Sequence, residues 1–262
     1  MMRALPFFNR DPLVAVIRLN GVIAAGGRGA ALSDTTTAPL IERAFRRGKP
    51  KAIALVINSP GGSPVQSSLI AARIRRLADE KTLPVHAFVE DVAASGGYWL
   101  ACAADEIWAD ESSILGSIGV ISASFGFHEL LGRWGIERRV HTAGTDKSML
   151  DPFRPEREED VARLKSIQST IHDSFITHVK TRRGARLSTE QDLFTGEFWT
   201  GSAAVSLGLA DGIGHLKPKM QELYGDKVRF SVYGQRRGLL QRFSSEILAA
   251  AEHRLAWSRF GL

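Results

Sequence analysis

Lys51-Ala-Ile-Ala-Leu-Val-Ile-Asn58, running into Ser59-Pro-Gly-Gly-Ser63, decides the fold. The apolar run is continuous rather than alternating. A strand of that kind is buried on both faces, as in a parallel sheet covered by helices. The run stops at a Pro-Gly-Gly turn, and the pattern beyond it predicts a helix from about Pro64 to Lys81, with Leu69, Ala72, Ile74 and Leu77 mostly inward. Strand, tight turn and helix in that order are the repeat unit of an α/β protein.

The same alternation extends in both directions. Upstream, Leu13–Leu19 reads as a strand ended by Gly21, and Asp34 caps a helix running to about Gly48. Downstream, Pro84–Val89 is another buried strand, Ser95-Gly-Gly follows, and a helix continues through Tyr98–Ala104. Glu106–Ala109, Ile118–Ser122 and Glu137–Thr142 read as strands, with a short helix at Phe127–Trp134. Glu156–Arg183 is a long helix whose apolar stripe is Val161, Leu164, Ile171, Phe175 and Val179. Thr200 caps a short helix ending near Leu207, Val228–Tyr233 is a last strand, and Leu239–Phe260 is a final helix.

Bulk properties narrow the class. With 262 residues, 44% hydrophobic and 24% charged, the chain can bury a core without disulfides or metals. Its single cysteine, Cys102, excludes an internal disulfide and a Cys-rich metal site. The net charge of +6 gathers late, at Arg229, Arg236, Arg237, Arg242, Arg254 and Arg259. A basic tail suits nucleic acid or an anionic membrane, but no nucleic-acid motif accompanies it, so no nucleic-acid partner is expected. No apolar run approaches the roughly 20 residues of a spanning helix. The start, Met1–Pro12, is too short in apolar residues for a signal peptide. The expectation is a cytoplasmic protein with an extension at 1–12, a main domain at 13–233 and a basic amphipathic helix at 234–262. Leu240, Phe243, Ile247, Ala251 and Leu255 share one face of that helix, and Arg237, Arg242, Arg254, Trp257 and Arg259 decorate the rest. Such a helix suits peripheral contact with the inner face of a membrane. Packing against the core or a neighbouring subunit is the favoured reading.

Three segments carry chemistry. In Asn58-Ser-Pro-Gly-Gly-Ser63, adjacent glycines let backbone N–H groups approach a ligand, where they can meet developing negative charge. In Asp91-Val-Ala-Ala-Ser95-Gly-Gly-Tyr98, a strand ends at a serine flanked by glycines. That resembles a nucleophile elbow, with A-A-S-G-G in place of G-x-S-x-G, although a serine there is more often a helix cap. A nucleophilic serine needs a base. None of the seven histidines lies in a triad-like motif, and His141 is kept in reserve. The third segment, Thr142-Ala-Gly-Thr-Asp-Lys147-Ser148, offers a lysine. An ordinary lysine, with a pKa of about 10.4, is neutral only in roughly a thousandth of molecules near pH 7.4. It serves as a base only when stripped of water.

Together these segments resemble the signal peptide peptidase A (protease IV) and SohB-like serine peptidase family. The resemblance adds Gly116-Ser-Ile-Gly-Val120, Phe194–Trp199 and Gly208–Gly214, and covers about residues 13–216. It implies a Clp-protease/crotonase-like spiral of ββα units and an endopeptidase with a Ser–Lys dyad and no cofactor. Ser95 would be the nucleophile and Lys147 the general base. Gly61 or Gly62, with Gly96, would form the oxyanion hole, and Ser117 would orient the lysine. It also implies peptide or unfolded-protein substrates, signal-peptide remnants among them, and a homo-oligomer. An enoyl-CoA hydratase or isomerase relative shares the fold, but would need a catalytic carboxylate and no nucleophilic serine. A non-enzymatic scaffold is the other alternative.

Overall fold

The computed structural model describes residues 11–26, 31–144, 146–234, 257, 258 and 260. The chain divides into two compact units, one formed by residues 1–118 and 176–262 and the other by Gly119–Phe175. Each is described in its own frame.

The first unit is mixed α/β around an eight-stranded, largely parallel sheet. Strands β1 (Leu13–Asn20), β2 (Ala52–Ser59) and β3 (Val85–Ala94) lie side by side and parallel. Every residue of β2 is buried, which is the physical reason its sequence does not alternate. The sheet forks at β3. Its first half pairs with β4 (Glu106–Ala109) and its last residues with β5 (Ile114–Gly116). Beyond β5 lies the antiparallel β6 (Phe198–Thr200), beyond β4 lies β7 (Gly212–Ile213), and β8 (Arg229–Tyr233) flanks β1.

Helices cover the sheet. Helices α1 (Asp34–Arg46), α2 (Pro64–Lys81) and α3 (Gly96–Ala101) pack in series, α1 on α2 and α2 on α3. The even-numbered side chains Val14, Val16, Ala54, Val56 and Phe88 cluster with Met220 and Leu216 of α7 (Leu216–Tyr224). The odd-numbered set Ala15, Ile17, Ile53, Leu55 and Ile57 points to the opposite face and is equally buried. Each Val, Leu, Ile or Phe among them contributes about 1.5–3 kcal/mol relative to exposure, and each Ala much less. The last turn of α5 (Glu158–Arg183) is fixed by a buried ion pair. Arg183, 2% exposed, donates to Asp211 at 2.7 Å and to the Gly208 carbonyl, while Asp211 also accepts from the Ile107 N–H. The short α6 (Gly201–Ser206) is capped by the Thr200 hydroxyl, as its sequence predicts.

The second unit contains α4 (His128–Arg133), long loops and the first part of α5. Phe127 stacks obliquely between Phe125 and Phe153, and Arg138 lies over the Phe153 ring and pairs with Asp151. Large apolar side chains stand in solvent, among them Phe125, Leu130, Trp134 and Ile136.

Several expectations are corrected. The strand expected at Ile118–Ser122 is absent, and the pairing segment is Ile114–Gly116, because Ser117 takes a φ of 50° and turns the chain out of the ladder. Glu137–Thr142 forms no strand and is almost wholly exposed. Ser33, not Asp34, caps α1 through a capping box with Thr36. Leu69 is 46% exposed, and α2 turns Ile70, Ala71, Ile74 and Leu77 inward instead. The helix expected at 234–262 lies outside the described residues except for Gly234, Trp257, Ser258 and Phe260. Trp257, expected on its polar face, is buried against Val92 and Ala94.

Candidate active site

The site is prepared by a break in the β2–β3 ladder. Ile57 pairs with Val89, but Ser59 pairs with Ala93, so β3 carries extra residues between the two pairs. Asn58 stitches the irregularity: its amide donates to Asp91, and its oxygen accepts the Val92 N–H at 3.2 Å. Bulges re-aim the strand end beyond them. Here the re-aimed end is Ala93-Ala94-Ser95.

Ser95 sits at the turn from β3 into α3 with φ 52° and ψ −121°. A non-glycine residue held there costs on the order of 1–3 kcal/mol, and such strain gathers at functional sites. The turn is fixed from both sides. The Ser95 N–H donates to the Gly116 carbonyl at 2.8 Å, and its carbonyl accepts from Trp99 N–H at 3.0 Å. Its side chain makes no capping hydrogen bond to α3. The competing reading of Ser95 as a helix cap is thereby removed. Between Val92 and Ala104, Ser95 alone is not buried.

Two glycine pairs close on this serine. A Cβ on Gly61 would stand 2.8 Å from the Gly96 nitrogen, 2.8 Å from the Ala94 carbonyl and 2.9 Å from Ser95 Cβ. The φ values of Gly61 and Gly62, 100° and 139°, also suit glycine. Gly62 lies against the Ile23 carbonyl, and Gly96 packs so tightly on Ser67 of α2 that a Cβ would fall 2.4 Å from its hydroxyl oxygen. Ser59 organises the turn, donating to the Gly21 carbonyl at 2.7 Å and accepting the Gly61 N–H at 3.2 Å. The Gly61 N–H is therefore engaged by Ser59, whereas those of Gly62 and Gly96 have no protein partner among the described residues. Backbone N–H groups beside a nucleophile can stabilise negative charge developing on a carbonyl oxygen.

Helix α3 is braced from behind. The Tyr98 hydroxyl donates to the Leu209 carbonyl at 2.8 Å. Trp99 stacks on His178 of α5 at 4.9 Å, and the His178 Nε2–H donates to the Trp99 carbonyl at 3.1 Å. Burial lowers the His178 pKa, with the neighbouring Arg182 charge adding to the effect, against the Trp99 hydrogen bond. Cys102, buried on the same helix end, has its thiol pushed up to about 12 by burial and is no nucleophile.

Ser117 is 7% exposed with φ 50°, and its N–H donates to the Glu197 carbonyl at 2.6 Å. Ser95, Gly61, Gly62, Gly96 and Ser117 thus belong to the first unit. Lys147 belongs to the second, on an exposed turn, and the reserve candidate His141 is exposed there too. Sequence reasoning missed Asn58 and Asp91 as the clamp that aims β3, and Ser59 and Ser67 as supports. The available signal was a polar residue at the end of an otherwise apolar strand.

The model of Peptidase family S49 matches residues 77–227. The chain is 49% identical over 271 aligned residues to a protein named Na(+)/H(+) antiporter NhaA from Brucella abortus (strain 2308), covering 95% of this chain and 37% of that one. It is 31% identical over 180 residues to a putative signal peptide peptidase SppA of Enterococcus faecium, covering 68% of this chain and 51% of that one. Against the chloroplastic serine protease SPPA of Arabidopsis thaliana it is 33% identical over 209 residues, covering 78% of this chain and 31% of that one. The chain therefore spans about half or less of the length of each of these relatives. With more than half of its residues matched by the family model, this chain belongs to peptidase family S49.

Proposed function

We propose that the chain is a serine endopeptidase that hydrolyses peptide bonds through an acyl-enzyme, with Ser95 as nucleophile and Lys147 as general base. The observation that carries the reading is the Ser95 turn: a strained serine with an uncapped hydroxyl, set against Gly61 and Gly96. In the reaction, Lys147 takes the proton from Ser95 Oγ as Oγ bonds to the scissile carbonyl carbon. The carbonyl oxygen becomes an oxyanion held by the N–H groups of Gly96 and Gly62, Gly61 being engaged by Ser59. Collapse breaks the C–N bond, and the amine leaves with the proton from Lys147. Water, deprotonated by Lys147, then releases the acyl group. Ser117 is assigned to orient the lysine, and the chemistry needs no metal or cofactor.

The forked parallel sheet supports the finer reading of a Clp-protease/crotonase-like spiral of ββα units. Exposed Phe125, Leu130, Trp134 and Ile136 in the second unit support a homo-oligomer, because an apolar surface of that kind marks an interaction face. Covering that unit would also remove water from around Lys147. The substrates proposed are peptides, signal-peptide remnants and membrane-associated proteins among them. The antiporter name of the Brucella relative supports work near a membrane. No helix among the described residues is long and apolar enough to cross one. A cytoplasmic place, peripheral to the inner face, fits this reading.

Labelling with a fluorophosphonate followed by peptide mapping tests the nucleophile. The label is expected on Ser95 and absent from Ser95→Ala. Label on another residue, or none on the wild type, would overturn the assignment.

A further inference from the structure

We infer that His178 of α5 is a positioning residue for the Ser95 nucleophile: by holding the Trp99 carbonyl it fixes the peptide group between Ser95 and Gly96, and with it the direction of the Gly96 N–H. The inference rests on Ser95 being the nucleophile and adds a residue that acts on it from behind α3.

Helix α3 has six residues, and a helix that short forms only when groups outside it supply the bonds it lacks. The carbonyls at and beyond its C-terminal end show where those bonds come from. The His178 Nε2–H donates to the Trp99 carbonyl at 3.1 Å. Arg182, one turn further along α5, donates to the Cys102 carbonyl at 2.9 Å and to the Ala104 carbonyl at 3.0 Å. Arg75 of α2 donates to the Ala103 carbonyl at 3.1 Å. The two arginines therefore grip the chain past the end of the helix, whereas His178 acts within it. The His178 ring also stacks on the Trp99 indole, with centroids 4.9 Å apart and planes at 16°. Burial holds the imidazole pKa below its usual 6.5, so near pH 7 the ring is mostly neutral and the carbonyl selects the tautomer with its hydrogen on Nε2.

Trp99 carries that support to the site. Its N–H donates to the Ser95 carbonyl at 3.0 Å. The Ser95 C=O and the Gly96 N–H belong to one planar trans peptide and point in opposite directions, so fixing the carbonyl aims the N–H. The Gly96 N–H is one of the two proposed oxyanion donors. Its peptide follows the unusual ψ of −121° at Ser95. A strained conformation of that kind persists only where its surroundings over-determine it. The Gly116 carbonyl holds the Ser95 N–H on one side of the residue, and Trp99 holds the Ser95 carbonyl on the other. Loosening Trp99 weakens the second anchor and lets the peptide turn its N–H away from the oxyanion.

The test uses the full chain, a fluorogenic peptide and a small fluorophosphonate. His178→Phe keeps a ring to stack on Trp99 and removes the donor. His178→Gln keeps a donor near the place of Nε2 and removes the ring. The final extent of labelling at Ser95 counts competent sites, so kcat is taken per labelled site and a partly folded variant is not scored as a slow one. In His178→Phe, kcat and the labelling rate are expected to fall together by about tenfold or more, with KM little changed, because the phosphonyl oxygen takes the place of the oxyanion. His178→Gln should recover most of that loss. If His178→Phe does not fold, His178→Leu takes its place. Full kcat per site in both variants would mean that His178 does not reach the nucleophile. Equal losses in both, or a loss in His178→Gln alone, would mean that the stacked ring matters and the donor does not. A change confined to KM would place His178 in peptide binding. Each of these results overturns the inference. If the wild type takes no label at Ser95, the nucleophile assignment fails first and the inference falls with it.

Discussion

Gly61 approaches Ser95 so closely that a methyl group on its Cα would stand 2.9 Å from Ser95 Cβ and 2.8 Å from the Gly96 nitrogen. The turn after β2 and the turn after β3 therefore pack directly on each other beside the serine. Gly61→Ala would force a methyl group into that contact at a φ of 100°. The expected result is a loss of kcat/KM of about a hundredfold or more, comparable to removing an oxyanion donor, with the far-ultraviolet circular dichroism of the wild type. A folded Gly61→Ala variant with ordinary activity would show that this contact does not serve the site.

Asn58 joins the bulge to the site. Its side chain, mostly buried, holds Asp91 and the Val92 N–H together. Asn58→Ala leaves that N–H without its partner and should cost about 1–3 kcal/mol of stability. Because the bulge aims Ser95, the variant should lower kcat more than it raises KM. A change in KM alone would place Asn58 in peptide binding instead.

Asp211 tests the brace at the end of α5. Burial raises its carboxyl pKa, but the Arg183 and Ile107 hydrogen bonds and the Arg183 and Arg186 charges outweigh this, leaving it lowered. Asp211→Asn leaves the buried Arg183 guanidinium uncompensated and should destabilise the protein by roughly 3–5 kcal/mol in urea unfolding. Loss of less than about 1 kcal/mol would mean that water satisfies the arginine.

His178 sets a milder acid response. Burial lowers its folded pKa from 6.5, so the unfolded chain binds the proton more readily. Its contribution to stability is full above about pH 6.5 and is lost as the pH falls through the lower folded value. Asp211 and Asp34, also lowered from 3.8, lose theirs only in stronger acid. In His178→Gln, the decline of stability as the pH falls below about 6.5 should flatten. An unchanged decline would assign it to another group.

The strands β1 and β2 and the helix α2 were legible because each is an uninterrupted apolar run or stripe bounded by turn residues. The second half of β3 was not. Glu90-Asp91 breaks its apolar run, and those residues lie at the register shift. Strands β6 and β7, three and two residues long, are too short to show a period. Ser95 was legible as a candidate from its flanking glycines. That its hydroxyl does not cap α3 is a matter of backbone angles, which composition does not reveal. Trp257 was misplaced because an aromatic among arginines reads as a surface residue, whereas a distant strand end buries it. The proposed base, Lys147, rests on its surrounding motif alone, since a lysine's use as a base depends on what excludes water from it.

The most direct test of the central claim is the pH–rate profile of peptide hydrolysis by the wild type, Ser95→Ala and Lys147→Ala between about pH 6 and 10. The account predicts a wild-type kcat/KM that rises along a single alkaline limb and two variants without measurable turnover. Activity retained in Lys147→Ala, with the alkaline limb intact, would contradict it and move the base to another residue, with His141 the first to examine.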